Sequence, residues 1–147
     1  MKRLNGISLI LAAIVALPLS IALPTVANAA ITAKIDISEQ RMHVYVNGRR
    51  AYTWKVSTGR AGYRTPTGHY RPQRMYRRYF STKYNNAPMP YSVFFRGGYA
   101  IHGTDQVRNL GRVASHGCVR LDPRNARTLF NLIRNHGTHR TSIVIQP

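Results

Sequence analysis

Ile31-Thr32-Ala33-Lys34-Ile35-Asp36-Ile37-Ser38 alternates apolar with polar residues at every step, the period of a strand with one buried face. A few residues on, Met42-His43-Val44-Tyr45-Val46 and Tyr52-Thr53-Trp54-Lys55-Val56 flank Asn47-Gly48. That pair tolerates the left-handed backbone of a tight hairpin better than almost any other dipeptide. Residues 31–58 therefore read as strand, turn, strand, strand, and Ser57-Thr58-Gly59 breaks into a loop. Thr65-Pro66-Thr67-Gly68 is a further turn, leading into His69 and Tyr70.

Further along the chain, Ser92-Val93-Phe94-Phe95 and Tyr99-Ala100-Ile101 around Gly97-Gly98 predict a buried hairpin. One helix is predicted: Asp122 caps it, Pro123 suits its first position, and Ala126, Leu129, Phe130 and Ile133 follow helical spacing. Gly137 stops it, and Ser142-Ile143-Val144-Ile145 is a closing strand. Between Gln73 and Pro90 neither period is sustained. Arg74, Arg77, Arg78 and Lys83 are mixed there with Tyr76, Tyr79, Phe80 and Tyr84, which predicts an exposed basic-aromatic loop. With no repeat and no linker, the expectation is a mostly β, single compact domain with one main helix.

Twenty-two Lys and Arg stand against four Asp and Glu, a formal net charge of +18 over 147 residues. The acids are only Asp36, Glu39, Asp105 and Asp122, too few and, Asp36 and Glu39 apart, too scattered in sequence for a paired-carboxylate glycosidase or a carboxylate-rich Mg²⁺ or Ca²⁺ site to be expected. Such basicity points to a polyanionic partner. Lys2 and Arg3, an apolar stretch from about Ile7 to Ala22, and Ala27-Asn28-Ala29 form the pattern of an export leader with a small-residue cleavage site. The expected division is a signal peptide over 1–29 and one domain over 30–147, with no stable membrane anchor after cleavage. Export demotes nucleic acid as the partner and leaves anionic envelope polymers.

Cys118 is the only cysteine, so no internal disulfide staples the fold. A thiol with an ordinary pKa of about 8.5 is only a few per cent thiolate at neutral pH and needs neighbours to become a nucleophile. His116 lies two residues before it, Arg120 two after, and His102 sixteen before, at the end of an apolar strand. On a strand, positions 116, 118 and 120 would share a face. Gly117 lets adjacent backbone N–H groups point at a developing oxyanion. Zinc is the competing reading of His and Cys side chains, but the spacing matches no common ligand pattern and a fourth ligand is not evident. No metal and no cofactor are expected. A Cys–His acyl-transfer pair is the best reading of these residues; a buried inert cysteine and a structural histidine remain the alternatives.

Ile101-His102-Gly103-Thr104 followed by Ser115-His116-Gly117-Cys118-Val119-Arg120-Leu121 resembles the active-site signature of the L,D-transpeptidase catalytic domain, the YkuD family. The likeness extends to Val56-Ser57-Thr58-Gly59, Thr65-Pro66-Thr67-Gly68, Met89-Pro90-Tyr91, Phe94-Phe95 and Gly97-Gly98. It implies a β-sandwich-type catalytic domain and a cysteine transpeptidase acting on peptidoglycan stem peptides. By position, Cys118 would be the nucleophile and His102 the base. The amides of His116, Gly117 and Cys118 would form the oxyanion hole, and Ser115 would support the loop. Arg120 would hold that loop or steady a carboxylate, and Tyr91 and Gly103 would border the substrate. The acceptor is left open: a neighbouring stem, a lysine of an outer-membrane protein, or water. A wall amidohydrolase and a non-enzymatic basic envelope-binding module are the rival readings. The family's frequent wall-binding module is not recognisable here, and residues 71–84 match nothing in the family pattern.

Overall fold

The computed structural model describes residues 29–147; the expected leader, Ala29 apart, lies outside the described residues. Among the described residues, eleven strands and one α-helix form two main sheets and a small hairpin. The first sheet begins as expected, with β1 (Ile31–Asp36), β2 (Arg41–Val46) and β3 (Arg49–Lys55). Asn47 and Gly48 form a two-residue turn with φ of 48° and 79°, so β3 starts at Arg49, earlier than the apolar run at Tyr52. The same sheet takes in β4 (Gly68–Tyr70) and β11 (Thr141–Gln146), in the order β3-β2-β1-β11-β4. Among the described residues the last strand, β11, thus lies parallel to the first, β1, with Ile31 opposite Thr141 and Ile35 opposite Ile145.

The second sheet has the order β10-β9-β8-β5, made of β5 (Arg74–Tyr76), β8 (Ser92–Arg96), β9 (Tyr99–Gly103) and β10 (Val119–Leu121). Between β5 and β8, β6 (Phe80–Ser81) and β7 (Ala87–Pro88) pair as a hairpin, so the expected basic-aromatic loop is a set of short strands. Turn residues explain the difference: Asn85 and Asn86 both hold positive φ, 49° and 53°, as asparagine tolerates.

Both sheets and α1 (Pro123–His136) bury one core. Ile31, Ala33 and Ile35 of β1 and Ile143 and Ile145 of β11 meet Val93 and Phe95 of β8, Ile101 of β9, and Leu129 and Ile133 of α1. Asp122 accepts from the Arg124 amide at 2.9 Å, satisfying one of the donors every helix start leaves open. The Gly137 amide donates to Ile133 O at 2.8 Å and closes the other end. Among the described residues no helix is long and apolar enough to cross a membrane.

Candidate active site

Strand alternation decides which side chains reach the site. On β9, Ile101 is in the core, so Ala100 and His102 point the other way. On β10, Val119 and Leu121 are in the core and Arg120 faces out beside His102, its register partner. On β8, Val93 and Phe95 face the core, while Phe94 joins Met89 and Ala100 in a second apolar cluster against Tyr79 and Cys118. The outer face of the second sheet is therefore the floor of a cleft, and the β6–β7 hairpin is its far wall. The cleft has a volume of about 380 Å³, and Cys118, His102, His116 and Arg120 all line it with Lys83 and Tyr84.

Cys118 sits in a bend just before β10, held by side-chain bonds to backbone. Ser115, fully buried, donates through Oγ to Cys118 O at 2.6 Å and accepts from the Gly117 amide at 3.0 Å. Thr65 Oγ1 donates to Gly117 O at 2.8 Å and accepts from the Gly59 amide at 2.9 Å. Ser57 exchanges both backbone bonds with Arg120, 3.1 and 2.8 Å, which joins the first sheet's exit loop to the site. Gly117 has a φ of 112°, and a Cβ there would lie 2.6 Å from Tyr99 Cε1. Only glycine fits on both counts.

Burial sets the charge state of the two central groups. It pushes the Cys118 thiol above its ordinary value, while a hydrogen bond from the Ala100 amide and the Arg120 charge pull the other way. The thiol proton points to Gly98 O at 3.9 Å. Burial also lowers His102 to about 4, helped by the Arg120 charge and opposed by its bond to Gly103. His102 Nδ1 lies 2.6 Å from Gly103 O. A carbonyl only accepts, so Nδ1 carries the proton and Nε2 keeps a free lone pair. At neutral pH the resting site holds a thiol and a neutral imidazole of one fixed tautomer.

Residues 31–145 match the family described as YkuD, the L,D-transpeptidase catalytic domain. The chain belongs to this family. A relative from Bacillus subtilis (strain 168), "Putative L,D-transpeptidase YkuD", is 24% identical over 105 residues, covering 69% of this chain and 59% of that protein. An L,D-transpeptidase structure from Mycobacterium smegmatis superposes with a TM-score of 0.72 at 20% identity, over 81% of this chain and 59% of that one. An L,D-transpeptidase from Stackebrandtia nassauensis gives 0.70 at 27% identity, over 80% and 56%. The chain spans about three-fifths of the length of these relatives.

Within this L,D-transpeptidase domain the residues singled out from the sequence do not all meet. Positions 116, 118 and 120 do not form one strand face, because β10 starts only at Val119. The Gly117 amide is committed to Ser115 Oγ and is not available to an oxyanion. Tyr91 does not line the cleft: it has φ 54° and its ring packs edge-on against Phe130 of α1, centroids 5.7 Å apart. Gly103 is also away from the cleft; a Cβ there would stand 3.0 Å from Pro90 Cγ and 3.1 Å from Pro123 Cα, so its role is close packing. Its carbonyl still matters, through His102.

His116 is gripped from three sides. Arg60 Nη2 donates to its Nε2 at 2.8 Å, Tyr84 stacks on it at 4.7 Å, and Tyr63 meets it edge-on at 4.6 Å. Burial lowers its pKa, and Arg60, Arg120 and Lys83 lower it further. Arg120 Nη1 donates to Gln106 Oε1 at 3.2 Å. Sequence reasoning missed Thr65, Arg60 and Tyr84. Thr65 is legible as part of a turn and of the family likeness, but not as a residue that ties the Cys118 bend. Asn85-Asn86 is the signal that would have placed Tyr84 beside a hairpin turn. Among the described residues, no three His, Cys, Asp or Glu side chains converge into a metal-binding group.

Proposed function

We propose that this protein is an exported L,D-transpeptidase of peptidoglycan, working in the periplasm or cell wall, with Cys118 as nucleophile and His102 as base. The observation that carries this reading is the pairing in one cleft of a lone thiol with a neutral imidazole whose Nδ1 proton is held by Gly103 O. The donor is a tetrapeptide stem. Its third-residue carbonyl sits over Cys118, Sγ attacks, and the thiol proton moves to His102 Nε2. The amides of Cys118 and His116 face the developing oxyanion, replacing hydrogen bonds that water would otherwise give. Collapse breaks the C–N bond, the imidazolium returns its proton to the departing D-alanine amine, and a thioester remains. An acceptor amine then attacks the thioester, giving up its proton through His102 as the thiol re-forms. A neighbouring stem gives a 3→3 crosslink, and an envelope-protein lysine gives a protein tethered to the wall. Water turns the same steps into an L,D-carboxypeptidase.

Because burial keeps the resting thiol little ionised, an exported lone cysteine is protected from oxidation. The test is to mix purified protein with a tetrapeptide muropeptide and follow intact protein mass and released products together. The expected result is D-alanine release and a transient acyl mass on Cys118. Both should vanish in Cys118→Ala, at a cost of about 10⁴-fold or more in turnover. D-alanine release that survives Cys118→Ala would refute the cysteine mechanism. Silence from folded, reduced protein would favour a basic envelope-binding module.

A further inference from the structure

The side of the cleft around His116 is strongly cationic, with more basic than acidic side chains. Arg60 is bonded to the imidazole through Nη2 alone, which leaves its other guanidinium donors free of that bond. Lys83, at the hairpin tip, stands with its Nζ 5.5 Å from the centre of the Tyr84 ring that stacks on the same imidazole. Arg120 lines the cleft beside them. Among the described residues, Asp105 is the only acid in the lining. The ion pairs among those residues are His43–Glu39 and Arg124–Asp122, both remote from these cations in sequence and in element. Like charges gathered around one neutral ring repel, and a bound anion relieves that repulsion while accepting charge-assisted hydrogen bonds.

We propose that Lys83, in the cleft lining, and Arg60, which reaches the edge of the cleft through its bond to His116, form a carboxylate-binding site that selects acyl donors bearing a free carboxylate upstream of the bond that is cut. This rests on the transpeptidase reading and deepens it by assigning a substrate class. Carboxylate fits better than a bare phosphate. The cleft is apolar along Phe94, Met89 and Pro88, so the ligand must carry a peptide-like body alongside its charge. Both cations come from outside the Ser115–Leu121 signature: Arg60 from the loop after Gly59, Lys83 from the β6–β7 hairpin.

The test uses two tetrapeptide donors that differ only in whether the upstream carboxylate is free or amidated. Binding is read by calorimetry on the Cys118→Ala protein, and turnover is read as D-alanine release by the unmutated cysteine. The free acid is expected to bind and react at least about tenfold better, one charge-assisted contact being worth about that factor. That ratio should fall toward one in Lys83→Met and Arg60→Gln, and toward or below one in Lys83→Glu. Thermal melts of each variant confirm the fold. Equal binding of the two donors, or a ratio that all three variants leave intact, overturns the carboxylate site while leaving the transpeptidase reading standing. Selective, Lys83-dependent binding with no D-alanine released by wild-type protein has the reverse meaning: the site exists and the transpeptidase reading fails.

Discussion

The β1–β11 ladder and the bend before β10 are built from opposite materials. In the ladder, Ile31, Ala33, Ile35, Ile143 and Ile145 lie at 2% exposure or less and pack as one apolar layer. Each contact there is one of many and none is directional. In the bend, the shape depends on a few side-chain-to-backbone hydrogen bonds from Ser115 and Thr65, each without a substitute. Single substitutions should therefore be felt differently in the two places. Losing bulk in the apolar layer lowers stability and leaves the chemistry of the surviving folded molecules alone. Losing one polar tie at the bend, or one reacting group beside it, is expected to change the chemistry first.

The most demanding test of that division is His102→Gln. It removes the proposed base and keeps a polar side chain near Gly103 O, and turnover is expected to fall by about 10²- to 10⁴-fold, the usual worth of a positioned general base. Steady-state D-alanine release measures it. A loss under threefold would mean that the imidazole does not take the thiol proton. On the other side of the comparison, Leu129→Ala opens a hole under α1 where the side chain is fully buried. The expected cost is about 2–5 kcal/mol in urea unfolding, with kcat per folded molecule unchanged. A large drop in kcat for the molecules still folded would show that packing and chemistry are not separable here.

Acid provides a third way to set the regions apart, because His102 belongs to the site yet is buried like the core. Its native pKa of about 4 lies below its ordinary 6.5. As pH falls through 6.5 the unfolded chain takes up a proton that the native chain refuses until about 4. The contribution of His102 to stability is therefore full above 6.5 and is lost between 6.5 and 4, about 3 kcal/mol in all. Urea midpoints at pH 7 and 4 check this, and His102→Gln should flatten the decline. A wild-type curve no steeper than the variant's would mean that the imidazole is not held neutral.

How much was legible follows the same line. Strands β1 to β3, the β8–β9 hairpin and α1 announce themselves because period and turn residues are local signals: Asn47-Gly48, Gly97-Gly98, and Asp122-Pro123 before a helical apolar stripe. Cys118 and His102 stand out in the sequence as candidates because a lone thiol and a strand-end histidine are unusual in their settings. What stayed hidden is long-range. Nothing local to Ser142-Ile143-Val144-Ile145 says that it pairs with Ala33 and Lys34 on one side and Tyr70 on the other. Tyr91 is a cleft residue by the family resemblance alone, yet here it has a positive φ and its ring packs on Phe130. Arg60 gave no sign at all, since its meaning comes only from a partner fifty-six residues away.

Thr65→Val is the subtlest of these substitutions, because it keeps the shape of the side chain and deletes only its oxygen. The Gly59 amide loses its acceptor and Gly117 O its donor, at a residue only 5% exposed. Each polar group left unpaired near the surface of the core costs about 1–3 kcal/mol, the penalty being desolvation that nothing now compensates. The carbonyl that goes free belongs to the residue before Cys118, so loosening it shifts the thiol relative to His102. Melting temperature and kcat are therefore expected to fall together, with KM for the donor moving less. A variant that melts lower but turns over at the wild-type rate would make Thr65 an ordinary structural residue, and the bend would have to be held by Ser115 alone.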